Sequence, residues 1–235
     1  MKMLLESRPV GDVLIVQCQG RIVAGPEVLK LHAYVGDSIA KYGDIVLLLE
    51  QVEFIDSSGL GALVRLLQAA RLKKGDLKLS RIPPNIRKTL EMTHLLAQFE
   101  SYETVEEAIT AAYLGSKYSP GIAGDARPRI LCVYESSDVC TFLRELLCSA
   151  GYNALTTSNI DDAKILLKAT KAKLVVLSTR MQSVYGKSTQ QALQQIDPAI
   201  SFIVLDEDFA SQDPGEAAEK LLNGVRDAAM AGKAI

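Results

Sequence analysis

The sequence contains no tryptophan, and its 235 residues include only four cysteines and two histidines. His32 and His94 lie far apart, and the cysteines form no CxxC pair; they are Cys18, Cys132, Cys140 and Cys148. Because zinc sites draw on closely spaced thiolates and imidazoles, we expect neither a metal nor another cofactor. The cysteine pattern instead indicates buried free thiols in a reducing compartment.

Long apolar segments are also missing. The longest uninterrupted aliphatic run is Ile45–Leu49, far short of the ~20 residues that a membrane-spanning helix needs. The N-terminal sequence MKMLLESRPVGD has too short an apolar stretch for a secretory signal. We therefore expect a cytoplasmic protein without membrane insertion.

Basic residues outnumber acidic residues in one segment of a sequence whose charges are otherwise balanced. The net charge is −2, and the proportions of 48% hydrophobic and 23% charged residues are typical of a globular protein. Between residues 65 and 88, eight basic residues accompany a single acid, Asp76. The basic residues are Arg65, Arg71, Lys73, Lys74, Lys78, Arg81, Arg87 and Lys88. They form either solvated surfaces or a patch that faces a partner. No aromatic residue alternates with them to stack on bases, so we expect no nucleic-acid partner.

The middle of the chain carries a stretch rich in glycine, proline, serine and aspartate, GSKYSPGIAGDARP. Such a composition is typical of a linker. At roughly 150 residues per domain, the chain length fits two modest domains. We therefore predict a first domain at residues 1–115, a linker at 116–127 and a second domain at 128–235.

In the first domain, apolar alternation predicts strands, and 3.6-residue periodicity predicts helices between them. The predicted strands are Val13–Cys18, Ile45–Leu49, Leu77–Leu79 and Phe99–Tyr102, and the predicted helices are Glu27–Lys41, Ser58–Lys74, Asn85–Thr93 and Val105–Leu114. Thr104 and Glu107 form a capping box before the last helix. This alternation predicts an α/β fold.

The second domain shows the same alternation. Its predicted strands are Ile130–Val133, Asn153–Thr156, Leu174–Leu177 and Phe202–Leu205, and its predicted helices are Ser137–Ala150, Asp161–Lys171, Thr189–Gln195 and Gly215–Ala231. Strands that alternate with helices in this way are typical of a parallel, doubly wound sheet.

The most informative motif is FIDSSGLGAL, which joins the strand Ile45–Leu49 to the next helix. We expect Phe54 and Ile55 to be buried in the connecting segment. Gly59 and Gly61 each cost about 1 kcal/mol of helix propensity, so another requirement favours a bare backbone there. Asp56 or Ser57 can serve simply as the helix N-cap, or a hydroxyl at this helix start can carry a phosphate beside outward-pointing amides.

In its context this motif resembles the STAS domain of bacterial anti-sigma factor antagonists. The resemblance covers about residues 1–115 and includes a strand before the motif, an amphipathic helix after it and the later turn Ile82-Pro83-Pro84. It implies a mixed sheet with helices. It also implies that Ser57 is phosphorylated by a partner kinase, with Ser58 as the alternative. Where family members often carry an acidic residue, this chain has Val23.

The function implied by the resemblance is binding, and we expect no enzymatic activity of this chain. The unmodified domain would bind an anti-sigma factor that is itself a serine kinase and so release a sigma factor for transcription. Phosphorylation adds about −1.5 to −2 charges and would end the binding in a partly desolvated interface. A phosphatase would restore it.

A helical wheel of the helix after the motif separates two faces. The inward set is Leu60, Leu63, Val64 and Leu67, and the outward set is Ala62, Arg65, Leu66, Ala69 and Leu72. An apolar outward face with an arginine either binds a protein partner or consists of scattered surface aliphatics. The predicted partner-binding residues are Asp56, Gly59, Ala62, Arg65, Leu66 and Ala69.

The second domain resembles a response-regulator receiver, a flavodoxin-like parallel sheet, with its last section abbreviated. PRILCVYESSDVCTFLRELLCSAGYNALTT is similar to the receiver opening, and AKLVVLSTRM to its third strand. The receiver chemistry is degenerate: Glu135, Ser178 and Asp206 stand at the positions of its site, Ser178 where receivers carry the phosphorylated aspartate. A weak cation site built from Glu135, Asp206, Glu207 and Asp208 remains an alternative.

The sequence thus predicts a signalling protein whose receiver-like module binds a partner or forms a homodimer. Two other functions remain open: a scaffold or sensor in a multi-protein stress-signalling complex, and a STAS subunit that docks on a transport ATPase. No nucleophile and base pair, phosphate loop or metal cluster is recognisable in the sequence, which makes an enzyme the weakest hypothesis.

Overall fold

The chain divides into two compact units between Gly124 and Asp125. The structure is a computed structural model that describes residues 3–115, 127–181, 183–184 and 187–231. Nearly all of the predicted linker, residues 116–126, lies outside the described residues, so the linker stays a prediction.

Unit 1 is an α/β unit built on a five-stranded mixed sheet with the order β1-β2-β3-β4-β5. The strands are β1 (Leu4–Val10), β2 (Val13–Ile22), β3 (Asp44–Ile55), β4 (Leu77–Ser80) and β5 (Ser101–Tyr102). The first two strands pair antiparallel through a turn at Gly11, whose φ of 61° favours glycine, and the remaining pairs are parallel. The mixed sheet agrees with the predicted fold class, but the sequence did not predict β1, because most of its side chains are exposed.

In the described residues of unit 1, four α-helices accompany the sheet, and they agree closely with the predicted ones. They are α1 (Pro26–Ile39), α2 (Ser57–Leu72), α3 (Pro84–Met92) and α4 (Val105–Leu114). The capping box at Thr104 and Glu107 is confirmed, since each side chain accepts a hydrogen bond from the other residue's backbone amide. Helix ends are predictable here because capping is a local interaction.

The connection from β3 to α2 differs from the prediction. Strand β3 continues to Ile55, and Arg21 and Phe54 are register partners across β2 and β3. Ile55 is buried as expected, but the prediction of a buried Phe54 is wrong, since 48% of this residue is exposed. Successive side chains of a strand point to opposite faces, so Phe54 and Ile55 cannot both face the core.

Strand β4 of unit 1 contains a buried lysine. The ammonium group of Lys78 is fully buried and lies near three carboxylates: 3.6 Å from Asp44, 3.3 Å from Asp76 and 3.3 Å from Glu100. Arg71 adds a second cation at 3.0 Å from Asp76. Burial raises the pKa of Asp44, and the nearby Lys78 opposes this shift. These groups form one connected ion network in the interior.

The basic stretch is therefore not a uniform surface, and the choice between solvated surface and partner-facing patch stays open only for its exposed members. Lys78 is buried, and three arginines are engaged by acids of the same unit: Arg71 by Asp76, Arg81 by Glu50 and Arg87 by Glu103. Four basic side chains of the stretch are exposed and take part in none of these ion pairs: Arg65, Lys73, Lys74 and Lys88. Only Arg65 among them lies within α2.

Unit 2 contains a four-stranded parallel sheet with the order β11-β8-β6-β7. The strands are β6 (Arg129–Val133), β7 (Asn153–Thr157), β8 (Leu174–Ser178) and β11 (Ser201–Leu205), and β9 (Ser183–Val184) pairs separately with β10 (Lys187–Ser188). The helices are α5 (Ser137–Ser149), α6 (Ile160–Thr170), α7 (Thr189–Gln194) and α8 (Pro214–Ala231). The parallel sheet and the element order are as predicted.

Side-chain hydrogen bonds begin the helices of unit 2. Ser136, Asn159 and Ser188 each accept a bond from a backbone amide in the first turn of α5, α6 and α7. Because β6, β8 and β11 run parallel, their carboxyl ends lie at the same end of the sheet. Across the described residues of both units, no helix has the length and apolar composition of a membrane span.

The first testable prediction concerns Lys78. Replacing it by methionine keeps a linear side chain but leaves Asp44, Asp76 and Glu100 buried with one cation fewer, so we expect Lys78→Met to lower the free energy of unfolding by about 3–5 kcal/mol. Urea denaturation measures this change. The matched control is Lys73→Met at an exposed position, which should stay within about 0.5 kcal/mol of the wild type. Equal losses for the two variants would contradict the network's role.

Candidate functional site

The candidate site of unit 1 is the turn between β3 and α2, where Asp56 joins two loops. Its Oδ1 atom accepts a 2.8 Å hydrogen bond from the amide of Gly59, and this makes Asp56 the N-cap of α2. Its Oδ2 atom accepts a second 2.8 Å bond from the amide of Ala24, in the loop after β2. One carboxylate therefore fixes the beginning of α2 relative to the β2–α1 loop.

The electrostatics of Asp56 follow from these contacts. The amide of Ala24, then that of Gly59, lower the pKa of the carboxyl group below its usual range, and the nearby guanidinium of Arg21 contributes in the same direction. The side chain is thus held as a carboxylate at neutral pH. The N-cap interpretation of the sequence is correct for Asp56.

Gly59 is required by packing inside unit 1. A Cβ atom at this position would lie 2.3 Å from the carbonyl oxygen of Ile22 and 2.8 Å from the side chain of Ile55. The bare backbone therefore lets α2 begin close against the end of β2. Gly61 is different, because a Cβ there would meet only the flexible end of Arg65 at 3.2 Å.

Ser57 and Ser58 are both exposed in the first turn of α2. A hydroxyl in this position has access to solvent, and the positive end of the helix dipole favours an added negative charge. Helix α2 itself contains no acidic residue, so a phosphate here would be its first negative charge.

The exposed face of α2 differs from the outward face of the helical wheel. Ala62 and Leu66 are completely buried, so their predicted outward position is wrong. Gly59, which was predicted to bind the partner, is buried as well. The reason is that α1 packs against α2 and buries a second side of it. Arg65 stays exposed, and Ala69 is half-buried.

The surface that remains begins at the serines and follows α2 along one side. We call it the α2 ridge: Ser57, Ser58, Gly61, Arg65, Gln68 and Leu72. Positions 57, 61, 65, 68 and 72 follow a helical repeat of three and four residues, which aligns them on one face. Leu72, at 84% exposure, ends the ridge with an apolar group.

Two residues beside the ridge were not predicted from the sequence. The guanidinium of Arg21 lies 5.1 Å from the ring centroid of Phe54, a cation–π contact next to the candidate phosphorylation site. The pair arises from the parallel register of β2 and β3, which sequence periodicity does not provide. Val23, which stands where the resembling family often has an acid, is half-buried in the adjoining loop.

In unit 2 the predicted receiver positions occupy the ends of three strands. Ser178 is only 1% exposed, and its hydroxyl accepts a 3.3 Å hydrogen bond from the amide of Arg180. Asp206 forms an exposed ion pair with Lys220 at 3.3 Å. The structure therefore shows a buried neutral hydroxyl at the end of β8, and its correspondence to the receiver's phosphorylated aspartate stays a prediction.

The alternative cation site of unit 2 is not formed. No three acidic, histidine or cysteine side chains of the described residues come together as ligands, which corrects the suggested cluster of Glu135, Asp206, Glu207 and Asp208. A cleft of about 370 Å³ does contain Glu135 and residues of the segment after β11, but Arg180 lies 4.0 Å from Glu135 there. A guanidinium in this place repels a metal ion.

Comparison with known protein families matches residues 5–108 to the STAS domain. Most of unit 1 therefore matches the STAS domain, and the matched residues contain the mixed sheet and its helices. The match ends before unit 2, so the receiver-like interpretation of that unit remains a prediction.

Solved structures similar to the chain include three anti-sigma factor antagonists. One, a putative antagonist from Thermotoga maritima, has 27% sequence identity and a TM-score of 0.42, with 45% of this chain and 91% of that chain covered. The phosphorylated form of SpoIIAA from Bacillus has 22% identity and a TM-score of 0.38, with coverages of 45% and 96%. The antagonist from Mycobacterium paratuberculosis has 24% identity and a TM-score of 0.41, with coverages of 47% and 93%.

The second testable prediction concerns Asp56. The Asp56→Ala substitution removes the N-cap acceptor and the bond to Ala24, and we expect it to lower the free energy of unfolding by about 1–2 kcal/mol at pH 7. The pKa of Asp56 is lowered in the folded state, so its stabilising effect is present above the unfolded pKa of about 3.9 and is lost as pH falls through the folded pKa. Urea denaturation of both proteins between pH 7 and pH 3 should show the two stabilities converging in acid. A constant difference would contradict the role of the carboxylate.

Proposed function

We propose, on the premise that residues 5–108 form a STAS domain, that this chain is an anti-sigma factor antagonist controlled by phosphorylation of Ser57. In this proposal, the unmodified α2 ridge binds an anti-sigma factor that is also a serine kinase. Phosphorylation of Ser57 ends the complex, and a phosphatase restores it. The chain itself catalyses no reaction.

The observation that carries the proposal is the geometry of Ser57. The residue is exposed, directly follows the N-cap Asp56 and lies in the first turn of a helix whose start is held by two hydrogen bonds. A kinase can therefore reach the hydroxyl without unfolding the domain. Ser58 is exposed too and is the alternative acceptor.

Charge explains how phosphate at Ser57 would act as a switch. The helix dipole tolerates an anion in the first turn, so the modification leaves the folded domain intact. At the interface the phosphate adds about −1.5 to −2 charges next to the carboxylate of Asp56. These charges weaken binding, because they must be desolvated in the complex and they repel acidic groups of the partner. The effect of phosphorylation is then on binding and not on folding.

The binding surface we propose is the α2 ridge. Arg65 provides an exposed cation in its middle, and Leu72 provides an exposed apolar side chain at its end. A mixture of apolar groups and arginine is typical of protein interfaces. Ala62, Leu66 and Gly59 support this surface from beneath, since they are buried, and do not contact the partner.

For unit 2 we propose a receiver-like, flavodoxin-type module that no longer transfers phosphate and serves in partner binding or dimerisation. The strand order β11-β8-β6-β7 and the alternating helices support this interpretation. The buried hydroxyl of Ser178 and the cation of Arg180 beside Glu135 are unfavourable for phosphate transfer with a divalent metal.

The third testable prediction is the site of modification. Incubation of the full chain with the cognate kinase and ATP should add one phosphate, and Ser57→Ala should abolish the labelling, because Ser57 provides the accepting hydroxyl. Intact-mass measurement and peptide mapping locate the phosphate.

The matched control is Ser58→Ala, which removes the neighbouring exposed hydroxyl and should be labelled like the wild type. Ser57→Asp should weaken kinase binding, although one carboxylate reproduces only part of the phosphate charge. Phosphate on Ser58, or full labelling of Ser57→Ala, would refute the assignment.

The fourth testable prediction concerns Arg65. If the α2 ridge binds an acidic partner surface, Arg65→Glu should weaken kinase binding about tenfold at low salt, mainly by slowing association. The wild-type affinity should fall with salt, because the screening length shrinks from about 30 Å at 0.01 M to about 3 Å at 1 M, and the two proteins should converge.

Surface plasmon resonance across a salt series tests this prediction. The control is Lys88→Glu, which makes the same charge change at an exposed position of α3. Identical salt curves for the wild type and Arg65→Glu would show that Arg65 is ordinary solvated surface.

A further inference from the structure

One edge of the sheet in unit 2 is open and apolar. Strand β11, with the sequence SFIVL, pairs with β8, and no other described strand pairs with it. It contains no charged residue and no proline. Phe202 and Ile203 are half-buried, and Val204 is 36% exposed, so the apolar side chains at this edge are incompletely covered.

The other sheet edges in the described residues are protected. Strand β1 carries Glu6, Arg8 and Pro9, which discourage pairing with another strand. Strands β5, β9 and β10 have two residues each, and every residue of β7 is buried. Of the described edges, β11 alone combines length, apolar composition and exposure.

The backbone of β11 presents two pairs of groups to the outside. The amide of Ser201 donates to the carbonyl of Lys173, next to β8, and the carbonyl of Leu205 accepts from the hydroxyl of Thr179. Polar groups of alternate residues point to opposite sides of a strand. The amides and carbonyls of Phe202 and Val204 therefore point away from β8, toward the open edge.

We propose that β11 pairs antiparallel with β11 of a second copy of this chain about a two-fold axis through Ile203, joining the two sheets into one of eight strands. The inference deepens, and rests on, the proposed role of unit 2 in partner binding or dimerisation. A second copy is the occupant that fits this edge because the strand is complementary to itself.

The register about Ile203 shows this self-complementarity. Phe202 of one copy lies opposite Val204 of the other, so their outward amides and carbonyls form two reciprocal pairs of hydrogen bonds. On the same face of the sheet, each phenylalanine packs against a β-branched valine, a favourable cross-strand pair. Two copies bring no like charges together within the five residues, because the strand has none.

Helix α8 leaves space for the second strand. A groove of about 430 Å³ is lined by residues of α8 together with Ile203, Val204 and Leu205 of β11. Gly224 of α8 lies against this strand, and even a Cβ at that position would be 3.7 Å from Ile203. The outer edge of β11 is thus accessible on its α8 side.

Analytical ultracentrifugation of the full chain is the first test. We expect the wild type to reach about twice the monomer mass of 25.5 kDa as its concentration rises, with Val204→Pro raising the dimer dissociation constant about tenfold or more. Proline removes an amide hydrogen that points outward and is tolerated at a strand edge. The matched control, Val204→Thr, keeps the amide and the β-branched shape and should dimerise like the wild type.

A cross-linking experiment tests the register and remains informative if Val204→Pro fails to fold. In the proposed pairing the two copies of residue 203 form a pair without hydrogen bonds, about 4.5 Å apart at Cα, which a disulfide can span. Ile203→Cys should therefore form a covalent dimer under mild oxidation. The control Ser201→Cys should not, because its two copies lie about 14 Å apart. Peptide mass mapping separates the engineered disulfide from any formed by native cysteines.

The outcomes distinguish this inference from the proposed switch. A wild type that stays monomeric to about 100 µM, far above the dissociation constants of stable dimers, would overturn the pairing, and so would a dimer unaffected by Val204→Pro or cross-linked equally through both cysteines. Phosphorylation of Ser57 can still occur in each of those cases. Conversely, a β11 dimer without kinase labelling would support the pairing and refute the switch.

Discussion

The organisation of unit 1 around its candidate site depends on one carboxylate. The carboxylate of Asp56 accepts hydrogen bonds from the backbone amides of two separate segments. The donors are Ala24 in the loop after β2 and Gly59 in α2, each 2.8 Å from a carboxylate oxygen. Because Gly59 has no side chain, α2 can begin against the carbonyl of Ile22. The exposed serines are consequently held at a rigid corner, where a phosphate would alter the surface charge while the backbone keeps its hydrogen bonds.

Charge has opposite roles in two parts of unit 1. Lys78 is an interior residue whose ammonium group is compensated by carboxylates of three different segments, and removing this cation leaves the buried carboxylates with less compensation. Arg65 is exposed on α2, where screening by salt keeps its contribution to stability small and leaves it available for a partner. The same basic stretch of sequence thus provides a structural cation and a surface cation.

Unit 2 has a parallel sheet, as the sequence predicted, and its predicted site residues lie in surroundings that are unfavourable for binding a divalent metal. Ser178 is buried, Arg180 lies beside Glu135, and the described carboxylates do not form a ligand group. Its distinctive feature is instead the outer edge of β11, where two residues direct their backbone groups away from the sheet. An open apolar edge of this kind is well suited to association with another strand.

The sequence alone determined the features that depend on neighbouring residues. Apolar periodicity placed most strands and helices, and local capping identified Thr104 with Glu107 and offered Asp56 as the cap of α2, because these interactions span only a few residues. Only the tertiary structure decided which side chains stay exposed after the elements pack together. Packing of α2 against other elements of unit 1 buries Ala62 and Leu66, parallel pairing places Arg21 over Phe54, and distant carboxylates converge on Lys78. A single-helix wheel or a count of charges contains none of these contacts, since each joins segments far apart in the chain.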